Sequence, residues 1–298
     1  MRRLMLTATL GVLLVPQASA RPAFYWSVTN GSYASVDYIS FGESDFNRDQ
    51  GAVDGSRSLV RGQYDFSHAR GWVLGFGHEY NAFDISAESP APPQTNGDLH
   101  TLHLATQWRA ELGNGHLRAA FAPALSVSSN GLKNPDELNS EAVQFWGALL
   151  YRWPANGIDW LAGMAHDYRH GNDRIYPVAG IEWSNDAVFL RATFPDLELK
   201  FDLGSRWIMA ASVEPDGNEW WAYDRGLSDA NEFRRQAWQA DARLSYRFAN
   251  GALAGVSVGY HWDQEWRFRR QDFSSARLRS DNSYFVGLHL SWHARNEK

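Results

Sequence analysis

The sequence contains no cysteine, so no disulfide holds the fold together. It has no later run approaching eighteen apolar residues, which excludes a transmembrane helix of ordinary length. Helical periodicity is nearly absent, which argues against a bundle. Positive charge is not in excess: the formal net charge is −6. That argues against a nucleic-acid partner and leaves no polybasic patch for anionic lipid. What the chain does have is aromatic residues, 14% of its 298 positions and 14 of them tryptophan, combined with low mean hydropathy. Strands that are apolar on one face only, as in a membrane β-barrel, produce that combination.

The N-terminus reads as an export signal. Met1-Arg2-Arg3 is basic, Leu4 to Val15 is apolar but too short to span a bilayer, and Ala18-Ser19-Ala20 is a small-x-small cleavage pattern. Residues 1–20 are therefore expected to be a signal peptide and 21–298 a single domain. Removing Arg2 and Arg3 takes the formal charge from −6 to −8.

Period-two alternation recurs along almost the whole remaining length. The clearest case is Trp238–Phe248. Trp238, Ala240, Ala242, Leu244, Tyr246 and Phe248 lie on one face, and Gln239, Asp241, Arg243, Ser245 and Arg247 on the other. Between such segments, short connections alternate with long polar ones. Three of the short ones carry Asn-Gly, at Asn114, Asn156 and Asn250, a pair suited to a type I′ hairpin. The long ones fall near 43–57, 87–98, 129–141, 169–173, 216–233 and 269–281. The expectation is an all-β fold, a transmembrane up-and-down antiparallel β-barrel of about fourteen strands, with twelve as the second choice. The first strand falls within Ala23–Ser40, and Phe194-Pro195-Asp196 is either a corner between two strands or a bulge within one.

A soluble sandwich also alternates, but its strands are short. Here they run to roughly ten residues, enough to cross a bilayer when tilted. Trp72, Trp108, Trp153, Trp160, Trp183, Trp207 and Trp292 cluster near the short turns or the C-terminal strand end, as an interfacial girdle would.

The stretch Ile175–Tyr223 carries Pro177-Val178-Ala179-Gly180, then Phe194-Pro195, then Trp207. In these motifs it resembles an uncharacterised, porin-like family of bacterial outer-membrane β-barrels. The resemblance covers about fifty residues. It implies an outer-membrane location and gives no reaction.

The faces supply the candidate residues. Arg191, Glu198, Lys200, Asp202, Glu214, Asp241, Arg243 and Arg247 are expected to line the lumen, with both signs interspersed. Arg61, Asp65, Glu79, Arg109, Arg118 and Arg152 are expected there too. Tyr284, Val286, Leu288, Leu290 and Trp292 are expected to face lipid on the last strand, the segment read by the barrel-assembly machinery. His293–Lys298 would be a solvated extension. Outer-membrane lipid and lipopolysaccharide are the expected partners.

Chemistry is sparse. His289-Leu290-Ser291 places two side chains on one face, but no orienting third group accompanies them, so they read as lumen-filling. Asp136, Glu137 and Glu141 read as solvated loop charges, and Trp220, Trp221 and Tyr223 as packed loop aromatics. No catalytic residue, cofactor or metal ligand is expected. The leading expectation is a narrow channel or transporter for small solutes. A closed structural or adhesive barrel acting through its loops comes second, and a lipid hydrolase third.

Overall fold

The computed structural model describes residues 32–47, 51–66, 71–87, 97–204, 206–224, 229–270 and 275–293. The expected signal peptide, 1–20, lies outside the described residues, as does 294–298 of the expected tail; His293, expected in that tail, instead ends the last strand, opposite Tyr33.

The chain begins with β1 (Tyr33–Asp45), β2 (Gly51–Phe66), β3 (Trp72–Ala87), β4 (Gly97–Leu112) and β5 (Gly115–Ser128). A short helix, α1 (Ser129–Lys133), precedes β6 (Val143–Ala155), β7 (Ile158–Asp167), β8 (Arg174–Ser184), β9 (Val188–Phe194), β10 (Leu197–Asp202) and β11 (Trp207–Pro215). Then come β12 (Asn218–Asp224), β13 (Asp229–Arg247), β14 (Ala252–Arg270), β15 (Ser275–Ser280) and β16 (Ser283–His293).

Among the described residues, fourteen strands form the wall: β1 to β11, then β13, β14 and β16. Each pairs antiparallel with the next, and β1 closes the ring against β16, with Val36 opposite Leu290. Closure satisfies every edge, which an open sheet cannot do. The first strand is Tyr33–Asp45, and Pro195 lies in a tight turn between β9 and β10, where Thr193 N donates to Asp196 O at 2.9 Å. The first strand and the separate pair β9 and β10 therefore belong to the wall.

The short turns gather at one rim. Asn156 adopts φ 55° beside Gly157 at φ 75°, the left-handed pair that an Asn-Gly hairpin requires. Near this rim Trp72 pairs with Trp108, Trp153 with Trp160 and Trp207 with Tyr246, forming an aromatic belt.

The long connections at the other rim are where the structure departs from the sequence reading. The 216–233 region is not a loop: it contains β12 and the start of β13. The 269–281 region contains β15. Beyond the wall, β12, β13, β14 and β15 pair in that order as a four-stranded sheet. Asp263, at φ 52°, forms the bend with Ala237, where one residue is added to β14. The sheet closes over the mouth. On one side the Phe46–Ser280 bridge joins it to the end of β1, and on the other Trp221 of β12 bridges Val127 of β5. This cap, together with β1 to β5, makes a second, narrower closure nested on the outer half of the barrel. Its contents are apolar: Trp220, Phe233, Trp266 and Phe268 of the cap pack on Phe41, Phe83 and Leu99 of the wall. The strands exceed the expected ten residues for this reason. β2, β3 and β4 have 16 each and β13 and β14 have 19, extending past the wall into the second closure.

Candidate functional site

Inward-pointing side chains fill the barrel in layers. Below the apolar layer lies Asp216, at the break between β11 and β12. It is completely buried and accepts hydrogen bonds from Arg57, from Arg235 Nη1 at 2.7 Å and, across 3.1 Å, faces His261 Nε2. Two guanidinium groups, one from β2 of the wall and one from β13 at the base of the cap, thus converge on one carboxylate, the arrangement in which a buried charge is tolerable. Gln239 joins them, accepting from Arg57 Nη2 at 3.1 Å.

A second cluster covers the low part of the wall. β9 and β10 are short, with seven and six residues, so the wall dips at Pro195. The 168–173 loop turns inward over the dip. Arg169 donates to Asp196 Oδ1 at 2.7 Å and to Tyr176 Oη at 3.0 Å, and Tyr176 donates to Asp167 Oδ2 at 2.6 Å. Gly217 allows the loop to approach: a Cβ there would lie 2.6 Å from Gly171 N and 2.8 Å from Arg169 O.

Nearer the short-turn rim the expected lumen residues form a third network. Arg191 donates to Glu182 at 2.7 Å and to Glu198 at 3.0 Å, and Lys200 donates to Glu198 at 2.9 Å. Asp241 accepts from Ser212, and Arg243 lies two residues along the same inner face. Glu214 is buried one layer outward. Asp202 and Arg247 sit closest to the rim, partly exposed and 3.3 Å apart. All eight residues thus lie on the inner face, with Arg191, Glu198, Lys200, Glu214, Asp241 and Arg243 closed off from solvent. Between these layers a cavity of about 60 Å³ is lined by Arg61, Gln63, Glu79, Thr101, His103 and Trp146 among others. That volume is room for a few water molecules, not for a continuous column.

The outer surface is the reverse. Tyr284, Val286, Leu288, Leu290 and Trp292 are 74, 60, 61, 55 and 49% exposed. Their neighbours around the ring, Val256, Val258, Leu149, Leu104 and Phe76, are equally exposed, so the apolar surface is a belt rather than a patch.

Several residues that organise the lumen did not stand out in the sequence: Asp37, Arg57, Asp216, Arg235 and Ser257. For Asp37, Arg57, Arg235 and Ser257 the only sequence signal was a polar type on the inward phase of a strand, and Asp216, between β11 and β12, had none. Trp220 and Trp221 are buried strand residues rather than loop aromatics. His289 lies beside Ser257 and Asp37; its hydroxyl partner is not Ser291. Among the described residues no group of acidic or histidine side chains is disposed to hold a metal ion.

No family model matches the chain, and no curated protein matches it. Solved structures do. An outer membrane channel from Pseudomonas putida F1 is 9% identical over 91% of this chain and 98% of that one, with a TM-score of 0.48. KdgM porin is 11% identical over 87% of this chain and 99% of that one, with a TM-score of 0.35. A TodX monoaromatic hydrocarbon channel variant is 11% identical over 92% and 93%, with a TM-score of 0.37. A closed ring of strands with an apolar belt outside, charges inside and aromatics at the rim leaves one class of molecule. The chain is an outer-membrane β-barrel.

Proposed function

We propose that this barrel is a narrow, gated channel for small polar solutes. The observation that carries the reading is the inner wall. It presents charged side chains of both signs from the Asp216 cluster down to Asp202 and Arg247, which suits passage of polar solutes and does not select one sign of ion. Lipid and lipopolysaccharide cover the outer belt in this reading, and the assembly machinery engages β16.

The cap is the gate. Its core is apolar, so displacing it exposes Trp220, Phe233 and Trp266 and costs free energy, which keeps the resting pore shut. The same core also favours a second reading, a permanently closed barrel that acts through its outer surface.

Conductance of the purified protein in a planar bilayer separates the two. A channel shows rare, brief openings. Trp266→Ala leaves a cavity in the cap core, a change that costs roughly 3–5 kcal/mol in a well-packed site. It should raise the open fraction at least tenfold. A silent wild type together with a silent Trp266→Ala variant, both correctly folded, would favour the closed barrel.

A further inference from the structure

The inner wall near the short-turn rim carries an arrangement that conduction does not require. His289 of β16 lies between Asp37 of β1 and Ser257 of β14. Its Nδ1 is 2.6 Å from Asp37 Oδ1, and its Nε2 is 2.7 Å from Ser257 Oγ. Asp37 also accepts from Arg61 Nη2 at 2.8 Å. A carboxylate paired with a guanidinium is ionised and can only accept. His289 therefore carries its proton on Nδ1 and donates it to Asp37. In the neutral ring Nε2 is then bare, and the Ser257 hydroxyl donates to it. That polarity allows a histidine to take the proton of a serine nucleophile while a third group fixes its tautomer.

The sheet register builds this arrangement. Asp37 pairs directly with His289, and Ser257 pairs with Gly287, one step along the same inner face. A Cβ at position 287 would lie 2.5 Å from Ser257 Oγ and 3.1 Å from His289 Nε2, so glycine there lets the two side chains meet. On the other side of Ser257, Arg243 is its cross-strand partner. Two Arg243 donors, Nε and Nη2, are buried without a hydrogen-bond partner among the described residues. Unused donors beside a nucleophile are suited to a developing oxyanion.

We propose that Ser257, His289 and Asp37 form a nucleophilic centre for acyl transfer from small carboxylic esters entering at the short-turn mouth. Ser257 is the sixth residue of β14 from that rim and His289 the fifth from the end of β16. The inner face between centre and rim carries the small residues Ser35, Ser245 and Gly255, with Leu253 buried beside them, so an ester reaches Ser257 only when these side chains part. Toward the opposite mouth Phe41, His261 and Phe285 block the way. Ser257 Oγ attacks the ester carbonyl carbon and its proton passes to His289 Nε2. The carbonyl oxygen becomes an anion facing Arg243. As the carbonyl re-forms, the C–O bond to the alcohol breaks and the alcohol leaves with the proton from His289. Water then attacks the acyl-serine, giving its proton to His289. The carboxylic acid departs and the proton returns to Ser257. Asp37 is a positioning residue.

Because Ser257 is nearly inaccessible in this structure, the probe should be small. Diisopropyl fluorophosphate forms an Oγ–P bond as its P–F bond breaks and fluoride leaves. The folded protein, extracted from outer membranes in detergent, should gain a single adduct that peptide mapping places on Ser257. Ser257→Ala and His289→Gln should gain none, and Ser291→Ala should label like the wild type. Asp37→Asn should label at least tenfold more slowly, and Asp37→Glu should recover part of that rate. Heat-dependent gel mobility checks that each variant is folded. No adduct on wild-type Ser257, or equal labelling of a folded His289→Gln variant, overturns the proposal. The readout is independent of conductance, so the channel reading stands or fails separately.

Discussion

Asp216 shows how much a single side chain can hold in this barrel. It sits where β11 ends and the cap begins, and receives Arg57 from the wall and Arg235 from the base of the cap. Removing it by Asp216→Ala leaves two guanidinium groups buried without their carboxylate. Breaking a buried pair in this way costs about 3–5 kcal/mol. The expected result is a barrel that still assembles but unfolds at lower temperature in the heat-dependent gel shift. Conservative Asp216→Asn, which keeps the shape but loses the charge, should fall between. If Asp216→Ala melts like the wild type, the cluster does not anchor the cap. At this scale the sequence was legible in one respect only. Alternation placed Lys200, Asp241 and Arg243 on one face of their strands, because period two is local. It could not name partners. Asp37 and His289 are 252 positions apart, and only ring closure brings them together.

At the scale of the element, legibility stopped at the bulges. On β14 the buried inner residues are Leu253, Ser257 and His261 before Asp263, but Gln264, Trp266 and Phe268 after it, while Glu265 is buried on the other face by its ion pairs with Arg267 and Arg277. The extra residue shifts the inward phase from odd to even positions, so a period-two reading that follows Tyr260 and Trp262 outward cannot continue. β1 makes the same change, from Ile39 and Phe41 to Ser44 and Phe46. Nothing in the side chains announces either shift. β12 and β15 were missed for a second reason: seven- and six-residue strands embedded in polar sequence resemble loops.

The cap also carries a titratable group. Glu219 on β12 is pushed up from its ordinary 4.5 to about 7, chiefly by burial and also by Glu232, Asp173 and Glu141, with Arg234 opposing. The capped form therefore holds this proton more tightly than a form in which Glu219 is solvated. Closure is fully favoured below the ordinary carboxylate range, weakens as pH rises from there to about 7, and is level above that. If the cap gates a channel, open probability should rise roughly tenfold or more between pH 5 and 8, since one pKa unit is worth a factor of ten. Glu219→Gln should stay near the low-pH value throughout. A pH response unchanged in Glu219→Gln would assign it to another group.

For the whole molecule, strand number and closure could be read from the turns, because each hairpin is a local event and alternate turns must share a rim. The nested second closure could not, since it depends on Trp221 meeting Val127 and Phe46 meeting Ser280 across the mouth. The outer belt is the feature that ties sequence, fold and membrane most directly. On β16, five apolar side chains alternate with residues of the inner face, and all five point away from the barrel. If lipid covers them, position along the strand sets the effect of a charge. Leu288 lies mid-strand, where an arginine costs about 2–4 kcal/mol at the bilayer midplane, while near an interface the cost falls to about 0–1. Trp292 lies near the rim, where it pairs with Ala34 of β1 and Ala252 of β14. Leu288→Arg should therefore cut the yield of heat-modifiable barrel in outer-membrane fractions severalfold. Trp292→Ala should reduce stability less but slow assembly if the final strand is what the machinery reads. Deleting 294–298 should leave the yield nearly unchanged. Normal assembly of Leu288→Arg alongside failure of the tail deletion would mean that the belt does not meet lipid at this depth. The assembly signal would then lie in the last residues rather than in the alternating face of β16.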